Sequence, residues 1–185
     1  MATNQKTAVQ DSYSSLNELR NFIDSIHNAR DKLIVKILYE TGCSLTELIN
    51  VKACDIAGNT VKINSTDNNS IRFPKISGKL AKDLSLFIIG NKLRPDSHLF
   101  TTRQSKGISE KRIRQLIQHY SISLDSGIIN PHKIRYYHIL HAYQSGVFIE
   151  NISKQLGITT FRIFQVLRDF GLKPEQNYSF FLRRV

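Results

Sequence analysis

The 185-residue sequence has no tryptophan, one methionine, two cysteines and four prolines. Cys43 and Cys54 are too few for the disulfide framework of a small secreted domain, and no Cys/His cluster has zinc-site spacing. We therefore expect no metal or cofactor, and two buried free thiols in a reducing cytoplasm. The longest hydrophobic runs, at residues 33–39 and 84–89, are far shorter than a membrane span. The first residues lack the apolar stretch of a secretory signal, so we expect neither secretion nor a membrane partner.

Acidic residues are also scarce relative to basic ones. The chain has 26 Lys+Arg against 15 Asp+Glu, a formal net charge of +11. Residues 1–100 contain 13 basic and 10 acidic side chains, whereas residues 101–185 contain 13 and 5. Because neutralising phosphates releases counterions, nucleic acid is the expected partner, and the second half is the expected contact surface. A basic surface that serves only solubility is the alternative.

Hydrophobic periodicity predicts a mostly helical domain with one small antiparallel β-hairpin, an α+β fold, over residues 13–170. Residues 1–12 are polar and aperiodic and predict a flexible tail. Residues 171–185 are aromatic and basic and predict a C-terminal tail that packs on this chain or on a neighbouring protomer. Helices are predicted at about residues 15–26, 31–40, 45–51, 78–89, 109–119, 131–145, 149–156 and 160–170.

Three local features add detail to this outline. Ser44-Leu-Thr-Glu47 predicts a capping box, in which the serine hydroxyl accepts a backbone N–H while the carboxylate accepts another in return. Residues 60–64 and 70–76 alternate like two short strands, and the polar stretch between them predicts a hairpin turn. Gly171 stands where a helix C-cap is expected.

Four passages, taken in order, resemble the catalytic domain of the tyrosine recombinase (phage integrase) family. They are Arg30–Leu48 with its Tyr-Glu-Thr-Gly and Thr-Glu-Leu segments, the hairpin with Pro74, Pro131-His-Lys-Ile-Arg135, and Gly146–Gly157. The resemblance covers roughly residues 15–170 and implies the fold of that catalytic domain. We expect the chain to lack the separate N-terminal DNA-clamping domain that is usual in the family.

The resemblance implies phosphoryl transfer to a protein tyrosine. In that chemistry two arginines and a histidine stabilise the scissile phosphate, a lysine protonates the leaving oxygen, and a second histidine or a tryptophan contacts the phosphate. His132 and Arg135 match their positions, three residues apart on one helical face. The first arginine, the lysine, the second histidine and the nucleophile fall on Ser44, Thr66, Ile158 and Leu167.

These four replacements predict a recombinase fold without recombinase chemistry. Losing one preorganised donor costs about a hundredfold in rate, and a leucine cannot attack phosphorus at all. Lys75 is near the missing lysine in sequence but lies on the other predicted strand, so substitution by it is an unfavoured alternative. We therefore expect a protein that is not an enzyme and that regulates, caps or competes with an active recombinase, or modulates transcription. Its expected location is the cytoplasm or nucleoid.

The predicted partner is double-stranded DNA, bound through backbone phosphates. The predicted contacts are Lys75, Arg103, Lys106, Lys111, Arg112, Arg114, His132, Lys133, Arg135 and Arg162. Any one of the basic helix residues could equally face solvent. His132 and Arg135 could equally be structural, with Arg135 paired to Glu47 or another carboxylate.

Three alternatives remain open from the sequence. Tyr178 could serve as the nucleophile of an active recombinase, although it is more simply an anchor that packs the C-terminus with Phe180 and Phe181. Residues 150–169 have the spacing of a helix-turn-helix. In that interpretation the side chains facing a major groove are Thr159, Thr160, Arg162 and Gln165. A protein-interaction module is the third alternative.

Overall fold

The computed structural model describes residues 15–65, 70–102, 106–122 and 128–172. The first helix, α1, includes residues 15–25. The other helices are α2 (Ala29–Thr41), α3 (Leu45–Ile49), α4 (Gly78–Gly90), α5 (Glu110–Ile122), α6 (Pro131–Gln144), α7 (Ile149–Leu156) and α8 (Thr160–Asp169). The strands are β1 (Ile56–Ala57), β2 (Thr60–Val61), β3 (Ile63–Asn64) and β4 (Ile71–Arg72). The predicted N-terminal tail, residues 1–12, lies outside the described residues, and of the predicted C-terminal tail only Gly171 and Leu172 are described.

The predicted helical regions are confirmed. Five of the helices begin where short polar side chains satisfy unpaired backbone N–H groups. Each of these N-cap side chains accepts a hydrogen bond from the backbone N–H three residues further on. The residues are Asn28, Ser44, Ser77, Asn130 and Thr159. Pro131 occupies the first turn of α6, where its missing N–H costs nothing.

The C-terminus of α2 requires glycine. Gly42 has φ 61°, and its N–H donates to the carbonyl of Leu38. A Cβ atom at this position would lie 2.1 Å from Cδ2 of Leu156 and 2.9 Å from Cδ2 of His138. The left-handed backbone and the close approach of α6 and α7 therefore both exclude a side chain here.

The predicted hairpin is present but is divided into two small ladders. Strand β3 pairs antiparallel with β4, as predicted, with Ile63 opposite Arg72. The beginning of the same predicted strand, β2, pairs with the unpredicted strand β1 and also, through a bridge from Thr60 to Lys75, with the second predicted strand. Each strand is only two residues long, because the chain around 60–64 changes partner between β1 and β4.

The hydrophobic core has two clusters that meet at α6. The larger one is formed by α1 to α6 and the strands, and the smaller one by α6, α7 and α8. Cys43 is buried in the larger cluster, but Cys54 is exposed, so the prediction of two buried thiols is wrong for Cys54. Cys54 lies in the short 3-10 turn Ala53–Asp55, in which Ala53 and Asp55 are buried and the side chain of Cys54 faces outward. No helix of the described residues has the length and apolar character to cross a bilayer.

A buried histidine joins α1, α2 and α6, and it makes the stability depend on pH. The hydroxyl of Ser15 lies 3.0 Å from Nε2 of His141, and that of Tyr39 lies 2.9 Å from Nδ1. Burial, with smaller contributions from the charges of His138 and Arg20, lowers the pKa of His141 from 6.5 to about 4. Between pH 6.5 and about pH 4, His141 therefore binds a proton in the unfolded protein but stays neutral in the folded protein.

We accordingly expect the free energy of unfolding to fall as the pH falls from about 6.5 towards about 4. Urea unfolding at a series of pH values measures this slope. The variant His141→Gln cannot be protonated at this position and should show a shallower slope over the same pH range. His138 is present in both proteins, so the difference between the slopes reports His141 alone. Equal slopes for the two proteins would contradict the prediction.

Candidate phosphate-binding site

The site begins at the N-terminus of α3, where the predicted capping box is present. The hydroxyl of Ser44 accepts the N–H of Glu47, and Oε2 of Glu47 accepts the N–H of Ser44 at 2.7 Å. Glu47 is 6% exposed, so the cap holds a buried carboxylate in one orientation. Its negative charge at the first turn also complements the helix dipole.

The main partner of this carboxylate is Arg72, a residue that the sequence analysis did not single out. Nη1 of Arg72 donates to Oε1 of Glu47 at 2.5 Å, and Nη2 donates to Oε2 at 2.8 Å. Strand alternation turns Arg72 and Ile76 inward, whereas Ile71 and Phe73 face solvent. The available signal was therefore the period-two pattern, which places Arg72 on the same face as the buried Ile76.

Arg135 reaches the same region from α6. Its Nη2 donates to the carbonyl of Leu156, at the end of α7, at 3.0 Å. A Cβ atom on the next residue, Gly157, would lie 3.8 Å from Nη1 of Arg72. Both arginines therefore reach the same short turn. His132, one helical turn before Arg135, has an exposed side chain.

The charges of both arginines act on Glu47. Burial would raise the pKa of Glu47, but the hydrogen bonds from Arg72 and Ser44 and the charges of Arg72 and Arg135 together lower it. Glu47 is therefore ionised at neutral pH. Burial raises the pKa of the neighbouring Cys43 thiol to about 11, so this thiol is protonated and inert.

The position that the resemblance assigns to the nucleophile lies in the core. Leu167 is 0% exposed and packs in the smaller hydrophobic cluster. Ile158, at the second-histidine position, is half-buried against the same cluster. Thr66, at the lysine position, and Tyr178, the alternative nucleophile, lie outside the described residues, as do Phe180 and Phe181.

The structure separates the predicted basic contacts into two groups. Some are held by acidic neighbours: Lys133 pairs with Glu18 at 2.6 Å, and Arg114 pairs with Glu110 at 2.6 Å. The other predicted contacts with exposed side chains are Lys75, Lys106, Lys111, Arg112, His132 and Arg162, and Arg114 is also exposed despite its ion pair. Arg103 lies outside the described residues.

Helices α7 and α8 pack as the helix-turn-helix interpretation requires, joined through Gly157 in a left-handed conformation. The polar side chains of α8 also make contacts within this chain, while those of Arg162 and Gln165 stay exposed. Thr159 caps the helix, and Arg162 donates to Gln165 at 3.1 Å and to the hydroxyl of Tyr136 at 2.6 Å.

Among the residues described, no group of three or more His, Cys, Asp or Glu side chains is arranged to hold a metal ion. The charged groups of the site are thus two guanidinium groups and one carboxylate. Such a set binds an anion through hydrogen bonds and charge.

This chain is similar to known proteins in both sequence and structure. The chain is 28% identical over 149 residues to a tyrosine recombinase of Pseudothermotoga lettingae, which covers 78% of this chain and 50% of that protein. The crystal structure of XerA recombinase has a TM-score of 0.73 at 18% identity and covers 91% of this chain and 62% of that one. The XerH site-specific recombinase bound to its difH substrate has a TM-score of 0.68 at 17% identity, covering 88% and 51%.

The chain spans about half the length of the curated recombinase that it matches. The solved structures confirm the predicted mostly helical fold with small antiparallel sheets. Residues 12–166, most of the sequence, match the Phage integrase family, and the chain belongs to this family of tyrosine recombinases.

Proposed function

We propose that this chain is a DNA-binding member of the tyrosine recombinase family that neither cleaves nor rejoins strands. The observation that carries the proposal is Leu167, which is fully buried at the position that the resemblance assigns to the nucleophile. A side chain at this position faces the α6–α8 core, and a leucine has no group that can attack phosphorus. The protein would act where DNA is, in the cytoplasm or nucleoid.

DNA as the partner is supported by charge and by relatives. The net charge of +11 is concentrated in the second half of the sequence. The XerH structure to which this fold is similar is bound to its difH substrate. A protein that binds without cutting would regulate, cap or compete with an active recombinase at its sites. Assembly into an oligomer through the C-terminal tail remains part of the proposal.

We expect duplex DNA to bind with a dissociation constant of about 1 μM at moderate salt, weakening steeply as salt rises. The double variant Lys111→Ala, Arg112→Ala removes two exposed charges from α5 and should lower the slope of log K against log salt by about 2. The matched control Lys79→Ala, Lys82→Ala removes two exposed charges from α4 and should leave the slope unchanged. Fluorescence anisotropy with labelled duplex measures both.

Absence of binding by the wild-type protein even at low salt would overturn the proposed function. Binding that the α4 and α5 variants weaken equally would contradict the placement of the contacts on α5.

Catalysis is tested separately with a suicide DNA substrate that traps covalent protein–DNA adducts. We expect no adduct from the wild-type protein. An adduct that Tyr178→Phe abolishes and Tyr143→Phe leaves intact would overturn the proposal and establish Tyr178 as the nucleophile of an active enzyme. The retained pair His132 and Arg135 would then stabilise the phosphate during cleavage.

A further inference from the structure

Arg72 brings a positive charge into the protein from the hairpin. The residue is 8% exposed, and both of its terminal nitrogens donate to Glu47. The capping box holds Glu47 in place in turn. A guanidinium that is held by two hydrogen bonds in this way loses little conformational entropy when it binds a ligand.

A second arginine reaches the same turn between α7 and α8. Arg135 donates to the carbonyl of Leu156, and Arg72 lies against Gly157, the next residue along the chain. Both arginine charges act on Glu47 and on the buried Cys43. The cluster therefore contains one negative charge, on Glu47, and two positive charges, on the arginines. Its net positive charge favours the binding of an anion.

The cluster also contains a donor that is not used. Nε of Arg72 is buried and has no hydrogen-bond partner among the described residues. A buried donor without an acceptor costs free energy, and the cost is greater when the group is charged. An oxyanion that reached this nitrogen would satisfy it and add a charge-assisted hydrogen bond.

We propose that Arg72 and Arg135 form a phosphodiester-binding site, in which one backbone phosphate of DNA bridges the two guanidinium groups. The site rests on the proposed function, because it commits to DNA as the source of the phosphate. Ser44 leaves the N-terminus of α3 without a cation, and Arg72 supplies one there from β4. Glu47 is the positioning residue that holds this guanidinium.

Both members of the Arg72–Glu47 pair must be replaced to test the site. Removing Arg72 alone would leave a buried carboxylate without its partner and would destabilise the protein. The double variant Arg72→Met, Glu47→Gln leaves the net charge of the protein unchanged. The control Lys36→Met, Asp83→Asn removes another ion pair, between α2 and α4, whose N···O distance is 3.1 Å.

In the duplex-binding assay, we expect the Arg72–Glu47 variant to bind about tenfold more weakly, with the salt slope lower by about 1. The Lys36–Asp83 control should match the wild-type protein, since neither variant alters long-range charge. Wild-type affinity and slope in the Arg72–Glu47 variant would overturn the inference and leave the proposed function standing.

The Nε–H resonance of Arg72, identified by its loss in the double variant, gives a readout that does not depend on duplex affinity. Titration with a thymidine dinucleotide, which has one phosphodiester, should shift this resonance in a saturable way. A shift with the dinucleotide but no binding of duplex would support the site and overturn the proposed function. A shift with inorganic phosphate alone, or no shift with either ligand, would overturn the assignment to a phosphodiester.

Discussion

Gly42→Ala should lower the free energy of unfolding by about 3 kcal/mol. The left-handed backbone at Gly42 costs a residue with a Cβ atom about 1–2 kcal/mol. The added methyl group would lie 2.1 Å from Cδ2 of Leu156 and 2.9 Å from Cδ2 of His138, and such overpacking costs about 1–3 kcal/mol. Urea unfolding monitored by circular dichroism measures the loss.

Gly58→Ala is the matched control for this prediction. Gly58 has φ 54°, close to that of Gly42, but a Cβ atom there would have no neighbour within 4 Å. We expect this variant to lose only the backbone contribution, about 1 kcal/mol. If both variants lose the same free energy of unfolding, the close contact of α2 with α6 and α7 does not cause the destabilisation at Gly42.

Leu167→Ala should destabilise the protein by about 3 kcal/mol, because it leaves a cavity in the α6–α8 core. Phe161→Ala on the same helix is the control, since Phe161 is 67% exposed and its loss should change stability by less than about 0.5 kcal/mol. Thermal unfolding distinguishes the two variants. Comparable losses would show that position 167 does not face the core.

The complementary variant Leu167→Tyr introduces a tyrosine at the position that the family resemblance assigns to the nucleophile. A tyrosine is larger than leucine and overpacks this cluster, at a cost of about 1–3 kcal/mol. We expect no covalent adduct with a suicide DNA substrate. A trapped adduct would contradict the view that burial at this position excludes catalysis.

The local elements could be predicted because short-range patterns dictate them. The capping box at Ser44 and Glu47 formed as predicted, since both partners lie within one helical turn. The helix from Ile149 to Leu156 likewise follows its hydrophobic period. The hairpin was predicted less accurately, because its two-residue strands depend on which neighbours they pair with.

The candidate site could be predicted only in part. Arg135 was identified through its motif, but its contact with the carbonyl of Leu156 joins residues far apart in sequence. Lys133 was identified by its charge, yet the structure pairs it with Glu18 from the first helix. Charge alone does not distinguish a lysine that faces DNA from one that an internal carboxylate neutralises.

The sequence by itself determined which segments are helical, the family, and the leucine at position 167, because each depends on local pattern or residue identity. Only the tertiary structure decided that Arg72 meets Glu47 and stands near Arg135. The strand, the short helix and α6 that carry these residues are brought together by burial of the core. Because hydrophobic burial is not directional, local sequence does not determine which residues come into contact. The packing of the whole chain decides this.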